Sequence, residues 1–454
     1  MKSNRPSLVE TIRDRAQPFQ RASDLEPLIA RVKNSKVVML GEATHGTHEF
    51  YDWRRIISQE LIEHHGFQFI AVEGDWPPCQ TLNHYISHGS AYGTARDALN
   101  AFHRWPTWMW ANAEIAELAE WLRHYNASMN NASLSLGTTD TGATDKSIGF
   151  HGLDVYSLFE SMEAVLAQLH KINPFLARRA KTLYGCFDRY NQDERRYARS
   201  LAQMPEGCEA EVAQVLSELL TFRLDGLKDR EAALFDARQN ARIVRNAEDY
   251  YRTMMLGTED SWNVRDRHMM ETLELLLDFY GPTAKGIVWE HNTHIGDYRA
   301  TDMLEMGQVN IGGLARERLG DDQVSLVGFG TYEGSVIASH SWDGPIQTLP
   351  VPPGREGSYE AAFHDACVAK GVSQQFVLME NEDRDERSAL ARKLGHRAIG
   401  VVYDPAHERW GNYVPTSLSN RYDAFVFIDQ TRAVDPFPVE FIREDVPETW
   451  PRGQ

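Results

Sequence analysis

The chain is short of several things, and each shortage narrows what it can be. Lys and Arg number 47 against 65 Asp and Glu, a formal charge of −18. No basic cluster offsets that balance, so nucleic acid and anionic membrane surfaces are excluded as partners. No stretch approaches the ~20 apolar residues of a membrane span. "MKSNRPSLVETIRDRAQPF" at the N-terminus has no apolar run long enough for a signal peptide. The four cysteines, Cys79, Cys186, Cys208 and Cys367, stand far apart with no C-x-x-C pair, so a reduced, cytoplasmic chain is expected. Also missing are a G-x-S-x-G elbow, an H-E-x-x-H metal motif and a P-loop. The first absence argues against the common serine esterase.

What is there is ordinary globular material: 454 residues, 42% hydrophobic and 25% charged. That length can bury a large core and suggests two lobes. Short apolar runs read as strands: "KVVML" (36–40), "FQFIAVE" (67–73), "IGFHGLDV" (148–155), "KGIVWE" (285–290), "QVSLVGFG" (323–330), "QQFVLM" (374–379), "AIGVVY" (398–403) and "DAFVFID" (423–429). Most lack strict alternation, as strands covered on both faces do. Between the first two, Phe50, Trp53, Ile57 and Leu61 follow helical spacing, with Gly66 as the stop. Strand, helix, strand implies a parallel sheet. From 156 to about 280 charged and apolar residues mix at helical period. The expectation is an α/β fold: a mainly parallel central sheet flanked by helices over 1–155 and 285–454, with a mostly helical lobe inserted over 156–284 and a cleft between them. "NASMNNASLSLGTTDTGATDKS" (126–147), polar, small and low in complexity, reads as a surface loop.

Ligands of open parallel sheets sit beyond the carboxyl ends of the strands. The first predicted strand is followed by Glu42 and His45; the second ends in Glu73, then Asp75; the third ends in Asp154; the fourth gives "WEHNTHIGD", with His291 and His294. Four strand ends therefore carry carboxylates or imidazoles. Singly, each reads as a cap or a loop solvator, but a carboxylate closing an apolar strand needs a partner. Two arginines can supply one. Arg54 lies one turn into the first helix, on the flank of Phe50. Arg265 stands one turn before Met269 on the stripe Met269, Leu273, Leu276, Leu277 and Tyr280, pointing inward. Trp108, in "HRWPTWMW" (103–110), is a candidate floor for a partly apolar ligand, and Tyr332, in "GFGTYEGS" (328–335), a candidate lining residue on a turn after a strand.

A His, Glu and Arg cluster without an evident nucleophile suits general-base activation of water. A neutral imidazole takes the proton, a carboxylate orients it, and cations steady the oxyanion. Glu42, His45, Glu73 and His291 could instead hold a divalent metal. A non-catalytic protein that binds a small molecule in the same cleft is the third reading.

Together "GEATHGTHEFYDWRR", "AVEGDWP", "NVRDRHMMETL", "HNTHIGD" and "GFGTYEGSV" resemble, in order, the motifs of the erythromycin esterase family, as does the closing "GVVYDPAHERWGNYVPTSLSNRYDAFVFIDQTRAVDP". The resemblance spans roughly residues 25–440. It implies hydrolysis of a carboxylic ester or macrolide lactone without a covalent serine intermediate. His45 would be the general base, Glu42 and Glu73 the carboxylates beside it, and Arg54, Arg265, His291 and His294 the groups that position or polarise the substrate. It requires no cofactor, although a divalent metal is not precluded.

Overall fold

The computed structural model describes residues 6–87, 92–135, 147–222, 228–257 and 261–439. Its strands are β1 (Gln17–Pro18), β2 (Val37–Leu40), β3 (Phe69–Asp75), β4 (Gly149–Asp154), β5 (Gly286–Trp289), β6 (Val324–Ala338), β7 (Gln347–Val351), β8 (Gln374–Leu378), β9 (Lys393–Arg397), β10 (Tyr413–Ser417) and β11 (Ala424–Thr431). Nine form one sheet, in the order β1-β8-β11-β6-β2-β5-β3-β4, with β7 on β6; β9 and β10 form a hairpin of their own. From β11 to β4 all pairings are parallel, whereas β1, β7 and β8 join antiparallel. The sheet is mainly parallel, as expected.

The poor alternation of the strand sequences has its cause here. Val38, Leu40, Ile70, Val72, Ile287 and Trp289 face one apolar core. Val37, Met39, Phe69, Ala71 and Val288 face another on the opposite side. Both faces are covered, so both sets of positions must be apolar. The helix His48–His65 joins β2 to β3 and stops at Gly66, whose φ of 75° is left-handed.

Between β4 and β5 the chain is helical. The helices Leu158–Ile172, Pro174–Tyr184, Glu194–Leu201 and Glu209–Thr221 share a core with residues of Lys228–Leu256. The next helix, Ser261–Tyr280, instead packs Met269, Met270, Leu273, Leu276 and Leu277 onto the sheet. Within the expected helical lobe, this last helix thus belongs to the sheet's core by its packing.

Three sequence expectations need correction. "AIGVVY" is not a strand: β9 ends at Arg397, and this run passes through isolated bridges Thr44–Ile399 and Ser339–Val402. It is apolar because Ile399, Val401 and Tyr403 are buried. The 126–147 loop is helical at its start, since Ala113–Ser135 runs into it. Asn126 there is a buried clamp, donating to the carbonyls of Ile86 and Ile148 and accepting from the Ile148 N–H. Residues 136–146 lie outside the described residues. Finally, Cys186 and Cys208 form a disulfide with Cα atoms 6.0 Å apart, so this pair is not reduced; Cys79 and Cys367 are free and buried. Folding of the helical region closes a gap of 22 residues that the sequence leaves open.

Candidate active site

β2, β5, β3 and β4 are consecutive neighbours in the sheet. Their carboxyl ends therefore bring four distant segments to one edge. After β2 the chain turns through "GEATHG". A Cβ on Gly41 would collide with Asn292 Oδ1, and one on Gly46 with the carbonyl of Ile337, so the turn is held between β5 and β6 by close backbone approach.

Glu42 and His45 leave this turn facing one another, with Nδ1 of His45 3.0 Å from Oε1 of Glu42. The other Glu42 oxygen accepts from Arg54 Nη2 at 2.6 Å. Paired with a guanidinium, the carboxylate only accepts, so Nδ1 is the His45 nitrogen that donates to it. The Tyr51 hydroxyl fixes the turn by donating to the His45 carbonyl at 2.9 Å. Arg54 is fully buried between the rings of Tyr51 and Trp289, behind Glu42 and away from the cleft lining. Its expected contact with substrate is therefore corrected: it acts on the carboxylate behind the imidazole.

Arg265, one turn into its helix, reaches across to β3 and β4. It donates from Nε and Nη2 to both oxygens of Asp154 (2.9 and 2.7 Å) and from Nη2 to Glu73 Oε1 (2.7 Å). Glu73 Oε2 accepts the backbone N–H of His291 at 2.9 Å. Burial pushes the Glu73 carboxyl up, but His294, His45 and Arg265 outweigh it and hold the group well below the usual carboxylate range. His294 is stacked on Trp262 (4.3 Å, 6°), with Nδ1 3.0 Å from both oxygens of Asp266 and Nε2 3.4 Å from Glu73 Oε1. Burial opposes its cation; Asp266 and Glu73 overcome that, although Arg265 Nη1 stands 3.0 Å away, and its pKa is pushed up to about 10. Arg265 and His294 are thus held side by side by Glu73, Asp154 and Asp266, with Arg265 Nη1 donating toward His294 Nε2.

His291 is different. Burial and the neighbouring His45, with ring centroids 4.8 Å apart, hold it well below the ordinary imidazole range. Its Nδ1 accepts the Thr293 backbone N–H (3.3 Å) and lies 2.8 Å from Thr293 Oγ1, which puts the proton on Nε2. His291 Nε2 meets no close hydrogen-bond acceptor among the described residues, the Ala43 carbonyl being the backbone group that interacts with the ring, and His291 lines the cleft.

The cleft has about 920 Å³ of empty space, part of it open to solvent. His45, Glu73, Asp154, Arg265, His291 and His294 line its inner end; Phe102, Trp105, Met109, Trp110, Tyr156 and Trp342 form apolar walls. Two expected lining residues are corrected. Trp108 is 0% exposed in the core, edge-on to Trp105, and the neighbouring tryptophans take the wall instead. Tyr332 is not on a turn, because β6 runs 15 residues through it; its ring stacks on His364 at 3.7 Å, outside the lining. Asp266 and Thr293, which position the histidines, went unread in the sequence. Asp266 carried one signal, a charge within the apolar stretch of its helix.

The four expected metal donors do not suit a metal. Both oxygens of Glu42 and both of Glu73 are taken by protein donors. Among the described residues no group of three or more His, Cys, Asp or Glu side chains is arranged to hold a metal ion. What the arrangement offers is an imidazole held by a carboxylate, a second imidazole beside it, and the Arg265/His294 pair lining the same cleft.

A family sequence model described as Erythromycin esterase matches residues 62–431. The putative hydrolase YbfO of Bacillus subtilis (strain 168) is 21% identical over 449 residues, covering 91% of this chain and 89% of its own length. Erythromycin esterase type II of Escherichia coli is 24% identical over 411 residues, covering 84% and 90%. Among solved structures, a succinoglycan biosynthesis protein superposes with a TM-score of 0.73 at 22% identity over 94% of this chain and 97% of that one. A mutant of the erythromycin esterase EreC in its open conformation gives 0.63 at 17% identity over 94% and 99%.

Proposed function

The chain belongs to the erythromycin esterase family of hydrolases, and from that premise we propose that it opens carboxylic esters, macrolide lactones among them, with a water activated by His45. One observation carries this reading: Glu42 accepts from Nδ1 of His45, which leaves Nε2 as the base, with the His291 ring 4.8 Å away.

With the acyl group at the inner end of the cleft, His45 Nε2 takes a proton as the water oxygen bonds to the carbonyl carbon. The carbonyl π electrons move onto oxygen. His291 Nε2–H and the Arg265/His294 cations stabilise that oxyanion, in a site already desolvated and preorganised. Collapse breaks the bond to the leaving oxygen, which takes the proton back from His45. One ester and one water give one acid and one alcohol, with no covalent enzyme intermediate. Glu42 stays ionised against Arg54 and stabilises the transient imidazolium.

The test is mass spectrometry of erythromycin and a panel of lactones and esters after incubation in ¹⁸O-water. The expected product is heavier by one labelled water in the very first turnover, and absent with His45→Ala. Unlabelled oxygen in a first turnover would reveal acyl transfer to an enzyme carboxylate, and a burst of alcohol ahead of acid would reveal an acyl-hydroxyl intermediate; either would overturn the mechanism. No product from any panel member would overturn the ester-hydrolase reading.

A further inference from the structure

Outside the inner site, the cleft wall contains a second buried ion cluster. Arg104, which lines the cleft, has a side chain 9% exposed and faces three carboxylates. Its Nε is 3.0 Å from Asp75 Oδ2, at the end of β3 two residues past Glu73. Its Nη2 donates to both oxygens of Glu160 at 2.9 Å and to Glu194 Oε1 at 3.3 Å. Asp75 belongs to the sheet; Glu160 and Glu194 belong to the helical region. One guanidinium thus ties that region to the strand carrying the catalytic carboxylate.

A second tie runs beside it. Arg195 pairs with Asp343, which adjoins Trp342 of the cleft wall. The Trp342 ring lies 4.5 Å from Trp105, whose Nε1 donates to the Gly344 carbonyl at 3.2 Å. Glu194 and Arg195 both lie inside the loop closed by the Cys186–Cys208 disulfide. Within that loop Tyr197 accepts the Cys208 N–H at 3.0 Å and donates to Glu248 at 2.7 Å. The helix that holds Arg104 and Asp343 is therefore fastened at its base by the disulfide.

We propose that Arg104 is a positioning residue that sets the width of the cleft mouth and hence the bulk of substrate admitted, with the Cys186–Cys208 disulfide holding the helix that completes its grip. The physical reason is charge. Without the guanidinium, three poorly exposed carboxylates face one another across the seam between sheet and helical region. Their repulsion parts it. Lysine keeps the charge but lacks the planar fork that engages several carboxylates at once. Reduction of the disulfide by a dithiol delivers two electrons and two protons, yields two thiols and frees the base of the Glu194–Leu201 helix.

The experiment compares wild type, Arg104→Lys, Arg104→Gln and the double variant Arg104→Gln/Glu160→Gln by hydrogen exchange, followed by mass spectrometry of peptides covering 98–110, 156–162 and 190–200. Exchange in these segments should rise several-fold in Arg104→Gln, less in Arg104→Lys, and return toward wild type in the double variant, because one repelling carboxylate has gone. Dithiothreitol should raise exchange in 190–200 of wild type. The effect on substrate rests on the ester-hydrolase reading: KM for bulky against small esters should shift while kcat and its pH profile stay put. Exchange that responds without any ester turnover would retain the latch and sink the hydrolase reading. Wild-type exchange in Arg104→Gln, or no recovery in the double variant, would overturn the latch. Should Arg104→Gln fail to fold, Glu160→Gln alone and the dithiothreitol experiment take its place, and silence in both overturns the latch as well.

Discussion

Glu42 and His45 meet through Oε1 and Nδ1 at 3.0 Å, with the second Glu42 oxygen taken by the fully buried Arg54. The geometry fixes which imidazole nitrogen faces the carboxylate. Glu42→Gln keeps the shape but removes the charge that stabilises the imidazolium. It should lower kcat by ~10²–10⁴-fold, the usual range for losing a general acid–base function, with KM little changed. Steady-state kinetics checks this, and unaltered kcat would show that His45 works without Glu42.

His291 has a different job from its neighbour. If its Nε2–H stabilises the oxyanion, His291→Ala should cost ~10²–10³-fold in kcat, as loss of one preorganised donor does elsewhere. His291→Gln, which can present an N–H nearby, should recover part of the loss. A loss confined to KM would make His291 a binding group instead.

Glu290 is buried with neither carboxyl oxygen hydrogen-bonded among the described residues. Burial first, and then Glu73 and Asp266, drive its pKa well above the ordinary value of 4.5, against the pull of His294 and Arg265. The folded protein therefore keeps a proton that the unfolded chain releases as pH rises past about 4.5. By linkage, folding stability falls with rising pH from there until the folded group ionises. Glu290→Gln removes that slope. Its Tm should match wild type near pH 4 and exceed it increasingly toward pH 8, in thermal scans across that range. A constant difference would refute the assignment.

Dialysis against EDTA should leave both activity and Tm unchanged, since the carboxylate oxygens of Glu42 and Glu73 are already engaged by protein donors. Loss of activity on chelation, restored by one added metal, would show that these side chains rearrange around an ion.

Gly41→Ala puts a methyl into Asn292 Oδ1, which accepts the Phe329 N–H at 3.2 Å while its amide donates to the Phe329 carbonyl at 2.6 Å. Overpacking of this kind costs about 1–3 kcal/mol. Denaturant melts should show that loss, together with reduced activity, because Asn292 adjoins His291.

The sequence alone determined the strand ends. A carboxylate or imidazole closing an apolar run is locally visible, because the period of the run and its polar terminus are both written in a few residues. It also indicated that both faces of these strands are covered, since most of the runs lack strict apolar–polar alternation. Only the tertiary structure decided that β2, β5, β3 and β4 are neighbours, for strand order depends on how helices cross over, and no single segment encodes that. It also decided on which side of Glu42 Arg54 lies, and which tryptophan of "HRWPTWMW" faces the cleft, because one helical or loop rotation exchanges wall for core. Protonation was decided last and least locally. His291 and His294 are three residues apart in one motif, yet burial beside His45 pushes the pKa of the first down while Asp266 and Glu73 push that of the second up.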